Sequence, residues 1–314
     1  MSAIADRPKK AAPGCGSVAK RGCLILVAMG IFVAALGGAL WVYLHPPTER
    51  SGTLVYGERN ARELTLEVFK PVGETNGAGV VFMVSGGWKS DPSAVEPWVL
   101  SPLLRSGYTV FAVAHRSQPE ASVGEIIQDV SRGVRWVRHH ATEYGVDPAR
   151  LGATGGSAGG HLSLMMATRG GPGPAEASDP IDRESSAVQA VGIFFPVTDL
   201  LNLGDSTEND GTGGPPKSFR DAFGEGAGDL AVWRGTIGRE LSPIYHVSPD
   251  MPPVLIIHGD ADTLTPLDQS ERFATAAREV GATVELVVKP GKEHGWFTML
   301  WDLRRIARWF DEHL

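Results

Sequence analysis

Ser157 lies in a run of small residues whose spacing could support nucleophilic catalysis. Gly155, Gly156, Ser157, Ala158 and Gly159 follow the G-x-S-x-G pattern, in which a sharp turn presents a serine hydroxyl to a nearby base. The glycines permit the strained backbone that such a turn requires. The turn would also aim the Ala158 N–H at a developing oxyanion. An ordinary Gly/Ser turn shares this pattern, so the flanking elements must separate the two interpretations.

The residues around Ser157 predict a strand before it and a helix after it. Residues 150–154 are typical of a short strand, and residues 161–168 are typical of the start of a helix. A strand–serine–helix order is the context in which G-x-S-x-G marks a nucleophile. The sequence therefore favours a catalytic role for Ser157.

Two later strand ends carry residues that would complete a catalytic triad. The apolar run at residues 253–258 predicts a buried parallel strand, and Asp262 follows it. A second predicted strand, residues 284–288, precedes His294. Open α/β sheets build their sites beyond the carboxyl ends of strands, and the order Ser, Asp, His is that of α/β-hydrolases. We therefore predict that Ser157, Asp262 and His294 form a triad.

Asp260 is a second carboxylate in the turn that carries Asp262. It comes directly after Gly259, where a carboxylate commonly accepts hydrogen bonds from the N–H groups of a turn. Asp262 lies two residues further along, with room to reach toward the loop of His294. We expect Asp262 to be the acid of the triad.

The other histidines near these motifs receive structural interpretations. His161 follows the serine on its predicted helix, and we expect it to cap or pack beneath the site. His258 begins the turn of Asp262, and we expect it to order that loop. No histidine, aspartate or glutamate group shows metal-ligand spacing such as H-E-x-x-H. The expected chemistry requires no cofactor.

The chain resembles α/β-hydrolases of the esterase/lipase type, close to the BD-FAE-like and acetyl-esterase-like groups, over residues 51–314. Four motifs carry the resemblance: GGSAGGH at 155–161, HGDAD at 258–262, HGW at 294–296 and SGGW at 85–88. The resemblance implies a mostly parallel twisted sheet with helices on both faces. It also implies a serine esterase that forms an acyl-enzyme.

The SGGW motif departs from the family pattern, which usually reads H-G-G-G-W. Val84 and Ser85 stand where the family has its histidine and first glycine. Gly86 and Gly87 are retained, and the resemblance implies that their N–H groups join that of Ala158 in an oxyanion hole. We expect the departure to affect the support of the loop and the substrate class more than activity itself.

A long apolar run precedes the resembling region. Residues 23–44 are uncharged and exceed the roughly 20 residues that a transmembrane helix needs, and the basic segment 1–22 precedes them. The positive-inside rule predicts a cytoplasmic N-terminus, a signal anchor and a catalytic domain, residues 51–314, outside the cytoplasm. A signal peptide cleaved near residues 35–37 is the alternative. A retained anchor is favoured because the apolar run continues to Leu44.

Composition agrees with one globular catalytic domain. Apolar residues make up 42% of the chain, enough for a sizeable core. The net charge of -7, with no basic cluster in the body, argues against nucleic acid as a partner. Both cysteines, Cys15 and Cys23, precede the catalytic domain, which excludes a disulfide or a cysteine nucleophile within it. The expected partners are an ester substrate, either a small molecule or linked to polysaccharide, and the membrane.

Predicted strands and helices alternate through the rest of the body. The further strands are 62–70, 80–84, 109–114 and 191–195, and the further helices are 123–140, 269–280 and 299–310. This alternation predicts a mostly parallel sheet with helices on both faces. We expect Arg132, Arg135 and Arg138 to form a solvated face of their helix.

The longest insertion, residues 199–249, is rich in glycine, proline and acidic residues. In an α/β-hydrolase an insertion at this point lies over the site and shapes access to it. Asp205, Glu208 and Asp210 could suggest a calcium loop, but they lack EF-hand spacing. We therefore expect a flexible, solvated loop.

The predicted function is hydrolysis of short acyl or aryl esters, with acetyl or feruloyl groups on polysaccharide as candidate substrates. A prolyl-oligopeptidase-like peptidase shares the elbow, but we see no upstream segment that could encode its propeller. A kynurenine formamidase-like amidase shares the style of oxyanion loop, but its histidine is missing. A non-catalytic binding protein of this fold would be expected to carry a broken triad, whereas all three members are present.

Overall fold

The computed structural model describes residues 15–314, and it separates into two units. In the first unit, which ends at His45, helix α1 spans Cys15–Leu44. Its part Leu26–Leu44 has a mean hydropathy of 2.1 and is long enough to cross a membrane, a property that signal sequences share. The predicted basic segment 1–22 lies largely outside the described residues.

The second unit, Pro46–Leu314, is built on one eight-stranded sheet with the order β1-β2-β4-β3-β5-β6-β7-β8. The strands are β1 (Thr48–Arg59), β2 (Arg62–Pro71), β3 (Gly79–Met83), β4 (Thr109–Val113), β5 (Leu151–Gly156), β6 (Ala190–Phe194), β7 (Val254–Gly259) and β8 (Val284–Lys289). Strands β1 and β2 pair antiparallel at one edge, and β3 to β8 pair in parallel. The carboxyl ends of six strands therefore meet at one edge of the sheet.

Helices cover both faces of this sheet. The longer ones are α2 (Pro97–Arg105), α3 (Val123–His140), α4 (Ala158–Arg169), α5 (Leu267–Glu279) and α6 (Met299–His313). One core cluster includes buried residues of α3, α4 and α5, and a second includes those of α2 and α6. The predicted mostly parallel sheet with helices on both faces is confirmed.

Helix α3 shows how local sequence fixes an element. Ser122 accepts a hydrogen bond from the N–H of Glu125, and the Glu125 carboxylate accepts one from the Ser122 N–H. This reciprocal capping box starts the helix at the predicted residue. Its apolar residues at helical spacing, among them Ile126, Val130 and Val134, are fully buried.

The expectation of a solvated arginine face on α3 is wrong. Arg132 forms ion pairs with Asp179 and Asp182, and its side chain is only 17% exposed. Arg135 donates to the Glu184 carbonyl, and Arg138 donates to backbone carbonyls of the same segment. The segment 184–187 is irregular, so its carbonyls have no partner in a strand or helix. The guanidinium groups of α3 supply the hydrogen-bond donors that these carbonyls need.

Candidate active site

Ser157 lies in a tight turn between β5 and α4, with φ of 55° and ψ of -120°. This left-handed conformation is strained for a residue with a side chain. A Cβ atom on Gly155 would lie 2.7 Å from the backbone of Gly159, and one on Gly159 would lie 2.8 Å from the Met83 carbonyl oxygen. The glycines of the motif are therefore required by close backbone approach on both sides of the serine.

The structure brings Ser157, His294 and Asp262 into one hydrogen-bonded row. His294, in the loop after β8, has its Nε2 atom 3.0 Å from Ser157 Oγ. Its Nδ1 atom lies 2.7 Å from Asp262 Oδ2, in the loop after β7. With Nδ1–H donating to the carboxylate, Nε2 is free to accept the serine proton. This geometry is the one expected of the predicted nucleophile, general base and orienting acid.

Asp262 has a buried carboxylate whose hydrogen bonds hold it in the ionised form. Its side chain is 0% exposed, and Oδ1 accepts from the N–H groups of Leu264 and Thr265, each at 2.9 Å. Burial by itself raises the pKa of Asp262, but the hydrogen bonds of His258, His294 and Thr265 outweigh it. The pKa therefore lies well below its usual range.

The neighbouring groups take structural roles. Asp260 accepts a 2.6 Å hydrogen bond from the Gly291 N–H and so joins the loops that follow β7 and β8. His258 is buried, with Nε2 at 2.7 Å from the Thr265 carbonyl oxygen and Nδ1 at 2.7 Å from Ser270 Oγ. The expectation that His258 orders the Asp262 loop is confirmed.

The predicted oxyanion loop, residues 85–88, is a turn closed by reciprocal backbone hydrogen bonds between Gly86 and Lys89, at 2.9 and 3.0 Å. The Gly86 N–H is committed to this turn. In contrast, within residues 15–314 the N–H groups of Gly87 and Ala158 donate to no protein acceptor. Gly86, Gly87 and Ala158 all line the pocket that contains Ser157. Gly87 and Ala158 are thus the two candidates that remain able to bind an oxyanion.

Val84 and Ser85, the two residues that depart from the family's loop sequence, have different environments. Val84 is buried in the core beside α2, and its carbonyl accepts a 2.6 Å hydrogen bond from Ser90 Oγ. Ser90 in turn has its N–H bonded to Ser117 Oγ at 2.9 Å. Ser85 Oγ is buried and has no hydrogen-bond partner among the residues described. Ser90 and Gln118 both give the loop polar support, since the Gln118 N–H donates to the Trp88 carbonyl and Gln118 Nε2 donates to the Gly87 carbonyl.

The pocket has a volume of about 450 Å³ and a mainly apolar wall. Its apolar lining residues are Trp88, Ala158, Phe195, Val197, Leu203, Pro216, Phe219, Leu264 and Pro266. The Phe195 ring lies with its centroid 4.4 Å from that of His294. Sequence reasoning did not identify the residues from Val197 to Pro266 as pocket lining, because they are dispersed through irregular segments and follow neither strand nor helix periodicity.

The insertion at residues 199–249 combines exposed turns with packed segments, and Asp205 and Asp210 of the expected solvated loop are exposed. Phe223 and Trp233 are buried in the main core cluster. Glu208 accepts a hydrogen bond from the Ser218 N–H, and Asp210 pairs with Arg220. In the part of the chain that the structure describes, no group of three His, Cys, Asp or Glu residues could hold a metal ion.

This fold and row of side chains define an α/β-hydrolase. Residues 66–276 match the model of the BD-FAE family, so the chain belongs to that family.

Curated relatives are named as ester hydrolases. The chain is similar to the probable carboxylic ester hydrolase LipM of Mycobacterium tuberculosis, with 29% identity over 73% of this chain and 52% of the relative. It is also similar to a probable isoprenylcysteine alpha-carbonyl methylesterase, ICMEL1 of Arabidopsis thaliana, with 26% identity over 87% of this chain and 56% of that protein. The chain spans about half the length of these relatives.

Solved structures that resemble this chain are also esterases. The esterase Est2 of Thermogutta terrifontis superposes with a TM-score of 0.65 and 28% identity, covering 85% of this chain and 91% of that one. The form of that esterase phosphorylated by paraoxon gives a TM-score of 0.64 with 27% identity, covering 85% and 93%. A truncated carbohydrate esterase from gut microbiota, at 24% identity and a TM-score of 0.69, supports the fold alone.

Proposed function

We propose that this protein is a carboxylic ester hydrolase with Ser157 as its nucleophile. The observation that carries the proposal is the row of hydrogen bonds from Ser157 Oγ through His294 to Asp262, at 3.0 and 2.7 Å. The esterase relatives, and the neighbour that paraoxon phosphorylates, support it. The buried, ionised Asp262 supplies the charge that a protonated His294 needs.

The proposed reaction has two stages that share one base. His294 takes the Ser157 proton as Oγ attacks the ester carbonyl, and the N–H groups of Gly87 and Ala158 bind the oxyanion. The alcohol leaves with the proton from His294, which gives the acyl-enzyme. Water then loses a proton to His294 and attacks the acyl carbonyl, and the proton returns to Ser157 as the acid departs. No step requires a cofactor.

The pocket wall supports substrates with a short acyl or an aryl group. Its lining is mainly apolar, and the Phe195 and Phe219 rings favour a planar or aliphatic group over a charged one. Acetyl and feruloyl esters on polysaccharide remain candidate substrates because the carbonyl, rather than the sugar, must enter beside Ser157. A peptidase and an arylformamidase of the same fold are the alternatives.

A panel of p-nitrophenyl esters of graded chain length tests the function. We expect wild-type protein to hydrolyse short acyl esters and a feruloyl ester, and the Ser157→Ala variant to be inactive. N-formylkynurenine and a dipeptide amide belong in the same assay. Faster turnover of either amide than of every ester would replace the esterase proposal with the corresponding alternative.

We also propose that α1 anchors the protein in a membrane with the catalytic domain outside the cytoplasm. The apolar part Leu26–Leu44 and the preceding basic residues support this orientation. An alkaline phosphatase fusion after Arg50 should be active and should sediment with membranes. A soluble mature protein that begins near Gly38 would establish the signal-peptide alternative instead, and an inactive fusion would contradict export.

A further inference from the structure

The oxyanion loop contains two successive residues in the left-handed region, Gly87 with φ of 55° and Trp88 with φ of 57°. Glycine tolerates this conformation, but it is unfavourable for a bulky residue. The conformation persists only when surrounding contacts determine it. Gln118 holds the backbone through its N–H, which donates to the Trp88 carbonyl, and its Nε2, which donates to the Gly87 carbonyl; the contacts of the Trp88 side chain hold it as well.

Trp88 is enclosed by two aromatic rings of the insertion and by one histidine. Its indole is 2% exposed and meets Phe219 and Phe223 edge to face, with ring centroids 5.6 and 5.4 Å apart. Its Nε1–H donates to Nδ1 of His161 at 3.2 Å. This bond is the one polar contact of the indole among the described residues.

His161 lies in the first turn of α4 and is fully buried. Its Nδ1 accepts from Trp88, so Nε2 must carry the proton, which it donates to the Leu241 carbonyl at 2.7 Å. Burial lowers the pKa of His161 to about 4, which keeps the ring neutral near pH 7. One imidazole thereby joins the oxyanion loop, the nucleophile helix and the end of the insertion.

This bond connects the elements that carry the two oxyanion donors. Gly87 directly precedes Trp88, and Ala158 lies one helical turn before His161. We propose that His161 is a positioning residue: through Trp88 it fixes the Gly87 N–H relative to the Ala158 N–H. The proposal rests on the ester hydrolase function proposed above. Donors preorganised at the oxyanion act on the transition state, so their displacement lowers kcat more than it changes KM.

Two conservative variants of His161 separate its two hydrogen bonds. Asparagine places its amide oxygen near the position of Nδ1 and can keep the bond from Trp88. Glutamine places its amide nitrogen near the position of Nε2 and can keep only the bond to Leu241. We expect His161→Gln to lose about 10- to 100-fold in kcat with little change in KM, and His161→Asn to recover most of that loss.

A trifluoromethyl ketone probes the oxyanion hole directly because Ser157 converts it to a bound oxyanion. Its inhibition constant should rise in His161→Gln by about the same factor as kcat falls. Trp88→Phe, which keeps a ring but removes the N–H, should match His161→Gln. The double variant should be no worse than either single variant. Tyr108→Phe is the control, since it removes a part-buried 2.6 Å hydrogen bond to Asp311 without touching the loop.

The outcomes distinguish the two proposals. Wild-type protein that hydrolyses no ester overturns the proposed function and the inference with it. Active wild type with full kcat in folded Trp88→Phe and His161→Gln overturns the inference alone. Equal losses in His161→Asn and His161→Gln, with losses of similar size in Tyr108→Phe, would show a general loss of stability and would likewise overturn it.

Discussion

The two halves of the candidate site are held by different kinds of interaction. The triad half is polar: Asp262 is fixed by backbone N–H groups two and three residues away, and Asp260 accepts a hydrogen bond from the loop after β8. The oxyanion half is aromatic and long-range: Trp88 contacts Phe219 and His161, which lie far from it in the sequence. The insertion contacts both halves: Ser206 Oγ and the Thr207 N–H donate to the Leu264 and Thr263 carbonyls of the Asp262 loop, and its aromatic rings pack against Trp88.

Asp262→Asn tests the triad half and has the largest expected effect after Ser157→Ala. The amide would donate to His294 Nδ1 and favour the wrong tautomer, so kcat should fall by about 10⁴-fold. Asp260→Asn is the matched control, because its amide oxygen can still accept from the Gly291 N–H. We expect it to change kcat by less than about fivefold. Steady-state ester hydrolysis of folded variants gives both values, and the reverse order would show that Asp260 is the acid.

Gly87→Ala tests the oxyanion half at its crowded position. A Cβ atom there would lie 2.9 Å from the Phe219 ring, on a backbone with φ of 55°. We expect kcat to fall about 10- to 100-fold as the loop or the ring shifts.

Gly86→Ala is the control for this change. Nothing lies within 4 Å of a Cβ atom on Gly86, and its N–H is bonded to Lys89. Its kcat should therefore change much less than that of Gly87→Ala. Equal losses in the two variants would assign an oxyanion role to the Gly86 N–H as well.

The difference between the halves also explains what the sequence could predict. Ser157, Asp262 and His294 each follow a strand, so strand prediction and parallel-sheet geometry were enough to expect them at one edge. Helix α3 was predicted at its observed bounds because its apolar period and capping box agree. Strand β1 was not predicted, since in Thr48–Arg59 mainly exposed residues alternate weakly with apolar ones.

The packing of the insertion, residues 199–249, could not be predicted from sequence patterns. Its buried Phe223 and Trp233 are separated by glycines and charged residues, so no period of 2 or 3.6 indicates that they pack. The bond between Trp88 and His161 depends on how this insertion folds over the site. Pairings of this kind follow from tertiary packing and are not encoded in local spacing.

The buried His161 predicts a pH-dependent stability for the oxyanion half. Burial lowers its pKa from 6.5 to about 4, and no charged side chain contributes to the shift. The unfolded chain binds this proton near pH 6.5 and the folded one only near pH 4, so this stability is lost as pH falls between these values. The advantage of wild type over His161→Gln in unfolding free energy should narrow by about 2 kcal/mol from about pH 7.5 to 5. Urea titrations at each pH measure both unfolding free energies. If those of wild type and His161→Gln changed in parallel with pH, the result would contradict a buried neutral imidazole.

Ser85→Ala and Ser90→Ala give the smallest expected effects, and these have opposite signs. Ser85 Oγ is buried without a partner in the described structure, so its removal should raise the free energy of unfolding by up to about 1 kcal/mol. Ser90 Oγ donates to the Val84 carbonyl, so its removal should lower that free energy by about 1 kcal/mol. Urea unfolding measures both, and destabilisation by Ser85→Ala would indicate a partner for that hydroxyl.

The central claim is that Ser157 is the nucleophile, and covalent labelling with paraoxon tests it most directly. Mass spectrometry of wild-type protein should show one diethyl phosphate group on the peptide that contains Ser157, with ester hydrolysis lost in proportion. The Ser157→Ala variant, folded by circular dichroism, should remain unlabelled and inactive. Labelling at another residue in parallel with inactivation, or ester hydrolysis that survives in Ser157→Ala, would contradict the account.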